Sequence, residues 1–156
     1  MIGSVTLTLL GRERVIQGGP FDDFQPPAIG VCLEMRSAKI AEAALVLPVA
    51  DFAAPSAAVL AAAMRDLIGL MVAAPDLPVY IGCRAGIGRT GMLIAALAKL
   101  AGESDPVGWV RVHYHQDAVE TLAQSAAVAA FDVASIRVAG LTWRHALFLD
   151  GGDCHG

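Results

Sequence analysis

Cys83-Arg84-Ala85-Gly86-Ile87-Gly88-Arg89-Thr90-Gly91 directly follows the apolar run Pro78-Val79-Tyr80-Ile81-Gly82. The run has the length and composition of a buried strand. Thr90–Ala101, with Leu93, Ile94 and Leu97 on one side, has the spacing of a helix that Gly102 ends. A glycine-rich turn between a strand and a helix gathers backbone N–H groups and the positive end of the helix around one point, which suits an anion.

Three readings of this loop compete with a plain glycine-rich turn. Gly86–Gly91 matches GxGxxG, but a dinucleotide site needs a further strand with an acidic end about 20 residues on. Here the helix runs instead into Gly102-Glu103-Ser104-Asp105-Pro106. A nucleotide-triphosphate loop needs glycine at position 83 and lysine at 89, where this chain has Cys83 and Arg89. The third reading uses every residue. Backbone N–H groups of Arg84, Ala85, Gly86, Ile87, Gly88 and Arg89 would ring a phosphoryl group. Cys83 would sit at the loop base, in a field that favours its nucleophilic thiolate. Arg89 offers a planar fork to two phosphoryl oxygens, and the Thr90 hydroxyl can hydrogen-bond the sulfur.

Around this loop the chain alternates strands and helices. Ser4–Leu10 and Glu13–Ile16 read as a hairpin turning at Gly11-Arg12, and Gln17–Pro27 as a loop. Ile29–Met35 is a buried strand, Ser37–Ala44 a short helix, and Leu45–Val49 a strand broken by Pro48. Pro55–Ala74 is a strong helix, followed by helices over Asp105–His113 and Val119–Val133, the last with Leu122, Val128 and Phe131 inward. Ile136–Leu149 fits either a strand or a helix. This order predicts an α/β fold with a mainly parallel central sheet flanked by helices. A single domain over about residues 1–150 and a flexible tail over 151–156 are expected.

Composition bounds the partners. Among 156 residues, 56% are hydrophobic, and mean hydropathy is +0.59, yet no stretch offers the roughly 20 unbroken apolar residues of a membrane span. No signal peptide is evident, so a cytoplasmic location and no membrane partner are expected. The net charge of -4 and only two lysines, Lys39 and Lys99, argue against nucleic acid. Cys32, Cys83 and Cys154 lack zinc-like pairing, and Asp150, Asp153, Cys154 and His155 lack a fixed ligand spacing. Trp109, Tyr114 and Trp143 read as core or interface aromatics. Arg84 and Arg36 are candidates for the border of the cleft. Composition is silent on oligomeric state.

From Cys83 onward the loop matches HCxxGxxR[ST], and in this the chain resembles the cysteine-dependent protein tyrosine phosphatase superfamily, closest to its small atypical dual-specificity members. Two further segments fit in order. Pro48-Val49-Ala50-Asp51-Phe52-Ala53-Ala54-Pro55 is similar to the general-acid loop, and Asp117–Gln124 to the later segment ending in a glutamine beside the site. The resemblance spans about Gly30–Phe131. It implies a phosphomonoester hydrolase, a protein tyrosine or dual-specificity phosphatase, working through a cysteinyl-phosphate intermediate. Cys83 would be the nucleophile, Arg89 the phosphate clamp, Thr90 the aid to thiolate departure, Asp51 the acid and then base, and Gln124 a residue that positions water. The substrate would be a phosphorylated protein or a small phosphomonoester, and no metal or cofactor is required. Gly82 stands where the family has a loop-bracing histidine, which keeps a non-catalytic phosphate-binding protein open. A phosphatase of small metabolites or RNA ends, or an oxidoreductase resting on GxGxxG, are the other rivals.

Overall fold

The computed structural model describes residues 1–137. Five strands form one sheet: β1 (Gly3–Leu9), β2 (Arg12–Pro20), β3 (Ile29–Cys32), β4 (Leu45–Val46) and β5 (Val79–Cys83), in the order β1-β2-β5-β3-β4. β1 pairs antiparallel with β2, and the other three pairings are parallel. The sequence expectation of a mainly parallel sheet holds. β5 lies at the centre and is buried along its whole length, as its unbroken apolar run requires.

The hairpin turns on Leu10 and Gly11, both at positive φ, 54° and 82°, the signature of a two-residue turn whose twist matches its strands. β2 does not stop at Ile16. Gly18, Gly19 and Pro20 continue the strand and pair with Ile81, Gly82 and Cys83, where a loop had been expected. The glycines belong there because aromatic side chains cross the strand: a Cβ on Gly18 would overlap Tyr114, and one on Gly19 would lie 2.6 Å from the Tyr80 hydroxyl.

Helix α1 (Ala57–Ala73) is capped by Ser56, whose hydroxyl accepts from Val59 N–H. Its inward stripe of Leu60, Met64, Leu67, Ile68 and Met71 is buried, each side chain contributing about 1.5–3 kcal/mol relative to exposure. Helix α2 (Gly88–Ala101) is buried almost throughout and ends at Gly102, held in the left-handed region at φ 108°. Helices α3 (Pro106–His113) and α4 (Leu122–Ala130) complete the core that these helices share with Val31, Val79 and Ile81 of the sheet. A separate cluster joins Cys32 and Tyr80, which alternate to the other side of their strands, with Phe21 and Phe24 from the turn after β2.

Three expected elements differ. Ser37–Ala44 forms only a 3₁₀ turn at Ile40–Glu42, and the Asp22 carboxylate accepts from the Ser37 hydroxyl at 2.6 Å and from Ala38 N–H at 3.0 Å at its start. β4 is two residues long, since Pro48 offers no donor to extend it. The last expected helix starts only at Leu122: Val119 has φ 62°, and Thr121 caps the helix. Leu122 is 89% exposed rather than inward, whereas Val128 and Phe131 are buried as expected. Most of Ile136–Leu149, with Trp143, and all of the 151–156 tail, including Asp153, Cys154 and His155, lie outside the described residues, as does Asp150. Among the described residues, no helix is long and apolar enough to cross a membrane.

Candidate active site

Four parallel strands deliver their carboxyl ends to one edge of the sheet, the place where open α/β sheets hold ligands. β2 leads to Phe21 and Asp22, β3 to Leu33, Glu34 and Arg36, β4 to Val49 and Asp51, and β5 to Cys83. The sequence-predicted residues from segments 30 positions apart therefore meet there.

Cys83 is the last residue of β5 and is 3% exposed. Its Sγ accepts a hydrogen bond from Gly86 N–H at 3.2 Å and another from the Thr90 hydroxyl at 3.3 Å. That geometry needs the loop to reverse tightly. Gly86 takes φ 78°, and a Cβ there would enter the backbone of Gly19. Gly88, Arg89 and Thr90 form the first turn of α2, whose N–H groups have no partner within the helix. A thiol thus lies against a curl of donors at a helix N-terminus.

Arg89 is 2% exposed, and its guanidinium is divided between two tasks. Nη1 donates to Glu34 Oε2 at 2.8 Å, to the Val49 carbonyl at 2.7 Å and, more weakly, to the Leu33 carbonyl at 3.4 Å. Nη2 lies 3.7 Å from Asp51 Oδ1, and Nε is buried without a hydrogen-bond partner. One side of the fork is anchored to protein. The orphaned Nε donor on the other side would be satisfied by an oxyanion.

Glu34 was not singled out from the sequence, although an acidic residue closing the buried run Gly30-Val31-Cys32-Leu33 is the signal that it faces inward. Its second oxygen accepts from Arg36 Nε at 2.5 Å. That bond chiefly, and Arg89 after it, hold the Glu34 carboxyl down at about 2, against the opposing effect of burial. A cleft of about 260 Å³ opens beside these groups, lined by Asp22, Glu34, Arg36, Ser37, Cys83 and Arg84. Both cleft-border candidates, Arg36 and Arg84, are in its wall.

Asp51 follows β4 in a bend and is 47% exposed on its side chain. Its carboxylate accepts from Phe52 N–H at 3.1 Å, and Phe52 takes φ 62°. This bend is tied down from α4. The Thr121 hydroxyl donates to the Phe52 carbonyl at 2.9 Å, and Gln124 Nε2 donates to the Ala53 carbonyl at 3.3 Å. Gln124 is buried in a capping box, where its Oε1 accepts from Glu120 N–H at 2.7 Å and Thr121 N–H at 3.3 Å. Its oxygen and one amide hydrogen are therefore engaged by the backbone, and it reaches the Asp51 bend through the amide hydrogen.

Gly82 has no room for a side chain. A Cβ there would lie 2.7 Å from the N and Cα of Phe21 and 2.8 Å from the Gly19 carbonyl oxygen. The backbone leaving β2 fills the space that a larger residue before the cysteine would need. Tyr114, read from sequence as a core or interface aromatic, is 9% exposed, and its hydroxyl donates to the Gly86 carbonyl at 2.5 Å.

The family model described as "Tc-R-P: Polymorphic toxin system, DSP-PTPase phosphatase" matches residues 23–103, just over half of the chain. Among solved structures, the one described as "Crystal structure of Tk-PTP in the active form" is similar at 25% identity and a TM-score of 0.57, covering 79% of this chain and 93% of that one. No curated protein matches the chain.

Proposed function

Because the chain belongs to the DSP-PTPase phosphatase family of polymorphic toxin systems, we propose that it hydrolyses phosphomonoesters through a cysteinyl-phosphate intermediate. The observation that carries this reading is the pairing of a buried Cys83 sulfur, held by Gly86 N–H and the Thr90 hydroxyl, with an Arg89 whose Nε has no protein partner.

In the first step, the Cys83 thiolate attacks phosphorus, the phosphorus–oxygen ester bond breaks, and the leaving oxygen takes the proton of Asp51. Arg89 and the amides from Arg84 to Arg89 receive the phosphoryl oxygens as charge spreads over them. In the second step, water attacks the phosphocysteine and gives its proton to Asp51. The sulfur–phosphorus bond then breaks, and the Thr90 hydroxyl bond to Sγ stabilises the departing thiolate. Gln124 serves this reading by holding the Asp51 bend, and any orienting of water would fall to its second amide hydrogen. The chemistry draws on protein groups alone.

The substrate in this reading is a phosphorylated protein, dephosphorylated on tyrosine or on serine and threonine as well. In the cleft wall Arg36 is paired with Glu34 and Asp22 stands with Arg84, so the lining carries both signs and suits a phosphopeptide or a small phosphomonoester. Comparing kcat/KM across phosphopeptides and phosphorylated metabolites separates these.

Cys83→Ser is the decisive test. It should abolish turnover of an aryl phosphate while phosphate or vanadate binding stays measurable. Turnover near that of the parent protein would show that the sulfur is not the nucleophile.

A further inference from the structure

We infer that Tyr114 is a positioning residue for the phosphate loop: its hydroxyl, arriving behind the loop from the end of α3, fixes the Gly86 carbonyl and so aims the Ile87 N–H at the anion. This rests on the hydrolase reading above and assigns the bracing of its loop.

The Gly86–Ile87 peptide is planar and trans, so its carbonyl and the following N–H point in opposite directions. The Tyr114 hydroxyl holds that carbonyl at 2.5 Å. The Ile87 N–H must then point away from the tyrosine. Tyr114 is absent from the lining of the cleft at Cys83, and its ring packs instead against Gly3 and Gly18 of the hairpin. It therefore stands on the far side of the loop from the cleft, and the N–H opposite it faces inward. A donor on the carbonyl also polarises the peptide and makes that N–H a stronger donor.

Two glycines permit this arrangement. Gly86 reaches the loop conformation at φ 78°, and Gly18 lacks the Cβ that would overlap the tyrosine's hydroxyl end. The hydroxyl is a lasting donor, because burial chiefly, and then the nearby Cys83 and Tyr80, push its ionisation upward. The resemblance assigns loop bracing to a histidine before the cysteine, where this chain has Gly82. The Phe21 backbone leaves no space for a side chain at that point. The brace comes instead from another element, the end of α3.

The test measures loop order without turnover, using alkylation of Cys83 by iodoacetamide and protection by inorganic phosphate. Tyr114→Phe keeps the ring and removes only the hydroxyl. The phosphate concentration that half-protects should rise about tenfold, the effect of one lost hydrogen bond. The rate of alkylation at neutral pH should also change, because the Gly86 N–H that holds Cys83 Sγ at 3.2 Å belongs to the same stretch of loop. Gly18→Ala, whose Cβ would lie 2.6 Å from Tyr114 Cζ, displaces the same hydroxyl from the hairpin side and should shift both readouts the same way. A tyrosine that only packs would lower Tm and leave both readouts unchanged. That result in whichever variant folds overturns the assignment. Failure of phosphate to protect the parent protein's Cys83 would instead sink the hydrolase reading, so the two failures are distinct.

Discussion

Glu34→Gln replaces the carboxylate shared by Arg36 and Arg89 with an amide of the same shape. In the folded protein the Glu34 carboxyl titrates at about 2, against an ordinary 4.5. Each unit is worth 1.36 kcal/mol, so the whole shift bounds its contribution at about 3 kcal/mol. Arg36, the source of the largest effect, is 67% exposed, and solvent screening leaves about 1–2 kcal/mol at neutral pH. A carboxyl lowered by folding adds stability that is fully present above its unfolded value near 4.5 and is lost as pH falls through about 2. Urea unfolding of parent and variant, followed by tryptophan fluorescence at pH 7, 5, 3 and 2, reads this directly. The parent should be more stable by about 1–2 kcal/mol at pH 7 and nearly as much at pH 5, with less than half of the gap left at pH 3 and almost none at pH 2. A gap of equal size at pH 7 and pH 3, or none at pH 7, would refute the coupling. The variant should also bind phosphate more weakly, because Arg89 Nη1 would lose its charged anchor.

Two further outcomes are expected. Asp51→Asn should slow aryl-phosphate turnover by about 10²–10⁴ and flatten the basic limb of the pH–rate profile; an unchanged limb would move the acid role to another group. Gly82→Ala places a Cβ against the fixed backbone of Gly19 and Phe21, at a cost of about 1–3 kcal/mol. Calorimetry should show a Tm several degrees lower, and an unchanged Tm would mean that the end of β2 is not seated on the loop.

The residue types that the proposed chemistry needs were legible in the sequence. Cys83, Arg89 and Thr90 announce themselves because one short span holds them at fixed intervals between a strand and a helix. Asp51 could be placed from its position after β4 and from the resemblance, and the structure brings its carboxylate to 3.7 Å from Arg89 Nη2. What the sequence concealed are partners whose roles depend on long-range packing. Glu34 looks like any acidic strand end until Arg89, 55 positions later, folds onto it. Tyr114 has an aromatic's pattern, and only the missing side chains of Gly18 and Gly86 show why its hydroxyl is where it is. Gly18-Gly19-Pro20 has a loop's composition, yet the chain there is a strand, because aromatics from β5 and from the end of α3 occupy the space that side chains would take. Leu122 fell on the wrong side because six residues separate it from the buried Val128, which turns the two about 120° apart around one helix.

The nucleophile, acid and clamp of the proposed reaction all fall between Glu34 and Thr90, but the parts that shape them come from both ends: Gly18, Gly19 and Phe21 upstream, Tyr114, Thr121 and Gln124 downstream. The span proposed to do the chemistry is consequently not a portable cassette. Grafted onto another host, or cut free of its flanks, it would carry the correct functional groups without the mould that gives them their spacing.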